Sequence, residues 1–117
     1  DAARELIEAA AVAFELDVPG RDGHTPRTHL ETAYRMSKKM PKRLASAQVP
    51  EWGAYLVNLF HDMAAGRGST GWGPAAIGWA EVEAWVRLRR LHLDAWEIDI
   101  LRRLDHAWLH AHYDRTP

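Results

Sequence analysis

The chain has 117 residues and a mass of 13.3 kDa, which at roughly 100–200 residues per domain leaves room for one compact domain. Hydrophobic residues make up 47% and charged residues 26%, a globular balance that excludes disorder, and no apolar run approaches the roughly 18 residues a membrane span needs. There are no cysteines, so disulfide scaffolds, thiolate nucleophiles and cysteine zinc sites are excluded together, with cytosol as the default compartment. The chain opens on Asp1 rather than Met, as a fragment would.

The net charge of −1 is unevenly spread: residues 1–20 carry five acids and one base, residues 21–43 seven bases and two acids. The anomaly is tryptophan. There are six, beside only two Phe and three Tyr, and Trp52, Trp72, Trp79, Trp85 and Trp96 all fall between residues 52 and 96. A small domain buries a limited number of indoles, and surplus aromatics are also how interaction surfaces are built.

Helical periodicity dominates from the start. Leu6, Ile7, Ala10, Ala13 and Phe14 step by three and four, predicting a first helix from Ala3 to about Leu16. Pro19-Gly20 and Asp22-Gly23 break it, so residues 17–26 read as a loop. A second helix starts either at Thr25-Pro26 or at the capping box Thr28-His29-Leu30-Glu31, with Leu30, Ala33, Tyr34 and Ser37 inward, and stops before Pro41. A linker then runs through Val49. Pro50 opens the third helix, whose stripe of Trp52, Tyr55, Leu56, Leu59, Phe60 and Met63 marks it as the best core element.

Residues 66–78 hold five of the eight glycines and read as a long inter-helix loop with Trp72 at its centre. A fourth helix is predicted from Trp79 to Leu91, with Trp79, Val82, Trp85 and Val86 inward. Asp94 caps a fifth, with an acid, Glu97, at its third position. This helix buries Ile100, Leu101, Leu104, Ala107 and Trp108 and turns Asp99, Arg102, Arg103, His106 and His110 to solvent, with Asp99 and Arg103 an i,i+4 pair. The pattern predicts a single all-α domain over residues 1–117, with N-terminal helices in 1–49 and a three-helix unit in 50–112. By periodicity Trp52, Trp85, Trp96 and Trp108 belong to the core, and Trp72 is left over.

No motif brings chemistry with it. Gly66-Arg67-Gly68-Ser69-Thr70-Gly71 matches G-x-G-x-x-G in letters, but a helix precedes it where a dinucleotide site needs a strand, and Trp72-Gly73 stands where a Walker loop needs Lys-Ser/Thr. His106 and His110 share a helix face at a spacing zinc can use, yet the only uncommitted carboxylates near them are Asp99 and Asp114, and no H-E-x-x-H occurs. His61-Asp62 reads as a surface pair, and Glu81 and Glu83 point to different faces. The expectation is a protein without enzymatic activity, cofactor or metal. Arg35, Lys38, Lys39, Lys42 and Arg43 cluster near a helix end, where the helix dipole favours cations. With only Tyr34 among them, they make a poor nucleic-acid patch.

The C-terminal half is more specific. Trp52 with Ala54-Tyr55-Leu56 and Phe60-His61, then Arg67 through Ile77, then Trp79-Ala80-Glu81-Val82-Glu83-Ala84-Trp85, and finally Trp96-Glu97 with Leu101-Arg102-Arg103-Leu104-Asp105 and Ala107-Trp108-Leu109 resemble a family of small tail assembly chaperones of tailed phages and prophages. The resemblance spans about residues 50–110. Gly78 departs from the threonine N-cap usual there, and Arg89-Arg90 from a Thr-Gly helix stop, so the turn from Arg90 to Asp94 is expected to form differently.

The resemblance implies a protein that coats the tape-measure protein, recruits tail-tube subunits, can self-associate, and works in the cytoplasm of a bacterial host. The partner surface it suggests is Trp72 and its loop with Arg67, together with Trp79 and whichever of Trp85 and Trp96 is not packed inside. Two other classes stay open: a structural tail component such as a connector or terminator subunit retained in the virion, and a nucleic-acid or regulatory module using the Arg35–Arg43 patch.

Overall fold

A computed structural model describes residues 1–113; Asp114, weighed above as a metal ligand, lies outside the described residues. Among the described residues six α-helices follow one another: α1 (Ala2–Leu16), α2 (Pro26–Ser37), α3 (Lys42–Ser46), α4 (Ala54–Ala64), α5 (Trp79–Leu88) and α6 (Ala95–Tyr113), with a 3₁₀ turn at Glu51–Gly53 leading into α4. Among the described residues the only β-type pairing is one antiparallel bridge between Ser69 and Pro74.

The helices begin where the sequence supplies caps. Asp1 Oδ1 accepts the Ala3 amide at 3.1 Å to open α1. Of the two possible starts for α2, the chain uses Thr25, whose Oγ1 accepts the Thr28 amide at 3.2 Å with Pro26 in the first turn. Glu97 reaches back from α6 to accept the Asp94 amide at 2.8 Å, and its other oxygen takes the Tyr55 hydroxyl at 2.9 Å. One carboxylate therefore caps α6 and ties it to α4.

Three helices, α1, α4 and α6, enclose the core. Leu6, Ala10 and Phe14 of α1 and Val18, two residues past its end, pack with Leu56, Phe60 and Met63 of α4 and Ile100, Leu101, Leu104 and Ala111 of α6. Contacts at both ends show that these helices run in the same direction. Gly53 lies on Leu6 and Tyr55 meets Glu97 at one end, while Phe14 packs on Phe60 and Arg67 on Trp108 at the other. Two return connections follow from that geometry: α2 and α3 carry the chain back from α1 to α4, and the glycine-rich loop with α5 carries it back from α4 to α6. At Gly53 the return is tight, since a Cβ there would stand 2.8 Å from Leu6 Cδ2.

Several sequence expectations change. The linker before Pro50 contains α3, held by Leu44 and Ala47 in a small second cluster with Leu16, against which Val12, Ala13 and Leu30 pack. Of the predicted inner face of α2, only Leu30 packs, and no residue of this helix is buried. Trp79 is 62% exposed, Trp52 42% and Trp96 49%, so these rings lie on the shoulders of their stripes rather than inside. Asp99 and Arg103 do not form the expected ion pair.

The fourth predicted helix ends at Leu88, three residues early. Its stop has the geometry a glycine normally supplies, because Arg90 itself adopts a φ of 54°. The Leu91 amide donates to Val86 O at 3.0 Å and the Arg90 amide to Arg87 O at 3.2 Å, which is the Schellman pattern.

The outline is 47 × 35 × 22 Å with a radius of gyration of 15.5 Å, above the roughly 13 Å of a compact domain of this length. Two parts project from the three-helix body, the α2–α3 arm and the loop that carries Trp72.

A candidate partner-binding surface

The glycine-rich segment, read from composition as a long inter-helix loop, is fastened by two arginines. Arg67 leaves the end of α4 and turns inward: its Nη2 meets Asp105 Oδ1 at 2.5 Å, its Nη1 donates to Ala75 O at 3.0 Å, and its guanidinium lies 4.0 Å from the Trp108 ring centroid. Both side chains of the ion pair are nearly enclosed, 7% exposed for Arg67 and 8% for Asp105. The other Asp105 oxygen accepts the Ile77 amide at 3.0 Å. Arg102 repeats the device one turn earlier on α6, donating to Ile77 O at 3.0 Å and lying 4.0 Å over the Trp79 ring. Tyr113 completes the anchorage with a 2.5 Å hydrogen bond to Pro74 O.

Between these anchors the loop folds on itself. Ala75 N donates to Gly68 O at 3.0 Å and Thr70 N to Gly73 O at 2.9 Å. The Ser69 and Thr70 hydroxyls receive the Gly71 and Trp72 amides, at 3.1 Å each. Gly71 sits at φ 93°, a conformation that side chains resist. The outcome is a small ordered hairpin whose tip presents Trp72, 95% exposed. An indole held in water by a well-bonded loop is a ready contact for a partner, because the ordering cost is already met.

Trp79 forms one wall of a trough. A cavity of about 880 Å³ is lined by Ile7 and Ala11 of α1, Ala76 and Trp79 at the loop end, and Asp99, Arg102, Arg103 and His106 of α6. A second, of about 390 Å³, continues past Glu15 and His110 to Val18, Pro19 and Pro26. The face of α6 that periodicity assigns to solvent is thus a groove wall opposite α1. From Ile7 to Glu15 the trough follows nine residues of α1, about 13 Å at 1.5 Å per residue, and it continues past the end of the helix to Val18 and Pro19, room for about three turns of a docked helix.

The five residues expected to bind a partner do not form one patch. Trp72 and Trp79 belong to the same stapled loop and its exit. Arg67 lies beneath that loop, where it positions Trp72 and is itself enclosed. Trp85 packs against the core and donates its indole N–H to Asp62 at 2.7 Å, beside Arg89 at 3.0 Å from the same carboxylate. Asp62 therefore fastens α5 to α4, and His61 rests edge-on against Phe14. Trp96 stands at the opposite end of α6 from Tyr113, about 25 Å away.

Sequence reasoning missed the Arg67–Asp105 pair and the role of Arg102. The signal for the first was present: Asp105 falls on the Leu101–Leu104–Trp108 stripe, and an acid on an apolar stripe needs a buried cation. Among the described residues no group of three or more His, Cys, Asp or Glu side chains converges as a metal site would require. No described helix is long and apolar enough to cross a membrane.

Against known proteins, a family model described as phage tail assembly chaperone matches residues 33–110. That stretch runs from α2 into the last turn of α6 and includes the loop, Trp79 and the two arginine anchors, but not Tyr113. No curated protein and no solved structure matches the chain.

Proposed function

The chain belongs to the phage tail assembly chaperone family, and from that premise we propose that it binds the tape-measure protein during tail assembly, receiving an amphipathic helix of that protein in the trough between α1 and α6. Trp79 lines the trough and Trp72 closes over the docked helix from the loop tip. The observation that carries this reading is the pairing of an open trough three turns long with two exposed tryptophans on a stapled loop. Helix-in-groove docking needs that combination of apolar floor, polar rim and aromatic anchors.

The role requires no bond-making chemistry. A tape-measure protein presents many similar helical segments, so modest affinity at each trough, multiplied over many copies, keeps its apolar faces from aggregating. Tail-tube subunits are the second proposed partner, and the cytoplasm of the host is where such binding would take place.

Co-expression tests the reading. The cognate tape-measure protein should stay soluble with the wild-type chain and return to the pellet with Trp72→Ala/Trp79→Ala. Equal solubility with both would refute the trough and loop as the binding surface. Mass spectrometry of purified particles should find the chain absent; stoichiometric retention would mark a structural tail component instead.

A further inference from the structure

We propose that the α2–α3 arm is a second docking surface, separate from the trough, for an acidic amphipathic helical segment of a protein partner. All ten residues from 31 to 40 are exposed, so the last two turns of α2 and the turn after it bury no side chain in this chain's core. This stretch includes Met36, 83% exposed, with Met40 and Tyr34 also open to solvent. Twelve residues are marginal for a helix without tertiary support, and α2 receives its support at its first turns, from Leu30 and the 2.7 Å Arg27–Asp17 pair.

Charge selects the kind of partner. Arg35, Lys38, Lys39, Lys42 and Arg43 lie within nine residues, and no acid occurs between Glu31 and Glu51. Only Arg43 has an ion-pair partner among the described residues, Glu15 at 2.7 Å, while Arg35 bonds the Thr32 hydroxyl at 3.4 Å. The three lysines carry uncompensated charge beside two exposed methionines. Cations alone would suit any polyanion. Flexible thioethers beside them suit an apolar stripe, since methionine adapts to varied surfaces, and the single aromatic, Tyr34, gives bases nothing on which to stack in series. A helix with one apolar and one acidic face matches both features.

The probe is a fluorescein-labelled designed helix of about 18 residues, five turns, with leucine on one face and glutamate on the other. Anisotropy with the full chain should show binding that weakens with salt. It should fall about tenfold or more in Lys38→Glu/Lys39→Glu/Lys42→Glu and comparably in Met36→Ser/Met40→Ser, while Trp79→Ala leaves it unchanged. Circular dichroism checks that each variant retains its helix content. The same helix with lysine in place of glutamate should show no binding that the lysine reversals or the methionine changes alter.

Acidic-helix binding that ignores the lysine reversals would overturn the proposal. So would binding that disappears with Trp79→Ala, which would move the site to the trough. A single-stranded oligonucleotide that binds the arm regardless of the methionine changes would make it a polyanion patch and end the proposal as well.

Discussion

Replacing Arg67 with methionine removes the cation from a nearly enclosed ion pair and leaves the Asp105 carboxylate with one remaining donor, the Ile77 amide. Losing one member of such a pair costs about 3–5 kcal/mol, because the surviving charge is neither solvated nor neutralised. The unmade hydrogen bond to Ala75 O and the lost contact with the Trp108 ring fall within that figure rather than adding to it. Against a total stability of roughly 5–15 kcal/mol, the variant should be strongly destabilised, with a midpoint lowered by on the order of 10–20 °C.

Urea unfolding followed by far-UV circular dichroism measures the loss. The informative comparison is Arg67→Met/Asp105→Leu. Removing both charges removes the uncompensated carboxylate, so the double variant should recover to within about 2 kcal/mol of wild type although it carries one more substitution. An Arg67→Met cost below about 1 kcal/mol, or a double variant no more stable than Arg67→Met alone, would refute the argument that this pair holds the loop.

Other changes follow from single contacts. Gly53→Ala sets a Cβ 2.8 Å from the fully buried Leu6 side chain, and a thermal melt should show about 1–3 kcal/mol of destabilisation. Arg90→Gly relieves a left-handed φ of 54° and should stabilise by up to about 1 kcal/mol in urea titration, since the Schellman bonds are already formed. The Tyr55 hydroxyl is held above its ordinary pKa by burial and by its hydrogen bond to Glu97. The folded state therefore keeps that proton more tightly than the unfolded one, and the contribution present below about pH 10 is lost as pH rises past it. Tyr55→Phe should flatten that alkaline decline relative to wild type.

The architecture was legible where periodicity had a continuous face to describe. Leu6, Ala10 and Phe14, then Leu56 and Phe60, then Leu101 and Leu104 all reach the core, because apolar residues spaced three and four apart can satisfy burial on only one side of a helix. Shoulder positions were not legible in the same way. Trp52, Trp79 and Trp96 sit at the edges of their stripes, where a turn of a few tens of degrees decides between core and water, and all three face water. The α3 helix escaped because five residues offer just Leu44, with Ala47 beyond, as an apolar signal.

Trp72 was picked out as the ring without a periodic reason for burial, and its exposure agrees. What composition hid was the order of the loop beneath it. Five glycines suggest freedom, but Arg67, Arg102 and Tyr113 each bond a carbonyl between residues 74 and 77; Arg102 and Tyr113 come from across the fold, as does the Asp105 that holds Arg67 in place. Local sequence carries no record of a contact 25 to 39 residues away. Within that loop, the acid at Asp105 was the one long-range clue that a careful reading of the α6 stripe could have used.

The most direct measurement is the affinity of tape-measure fragments for the folded Trp72→Ala variant by titration calorimetry. An indole of about 200 Å² that goes from full exposure to burial is worth several kcal/mol of gross transfer energy, of which an interface anchor commonly retains about 2 kcal/mol. The variant should melt as wild type does, since the Trp72 side chain is 95% exposed and supports nothing in the fold, and should bind with a dissociation constant weakened about thirtyfold. An unchanged dissociation constant would contradict the role of Trp72 as an anchor.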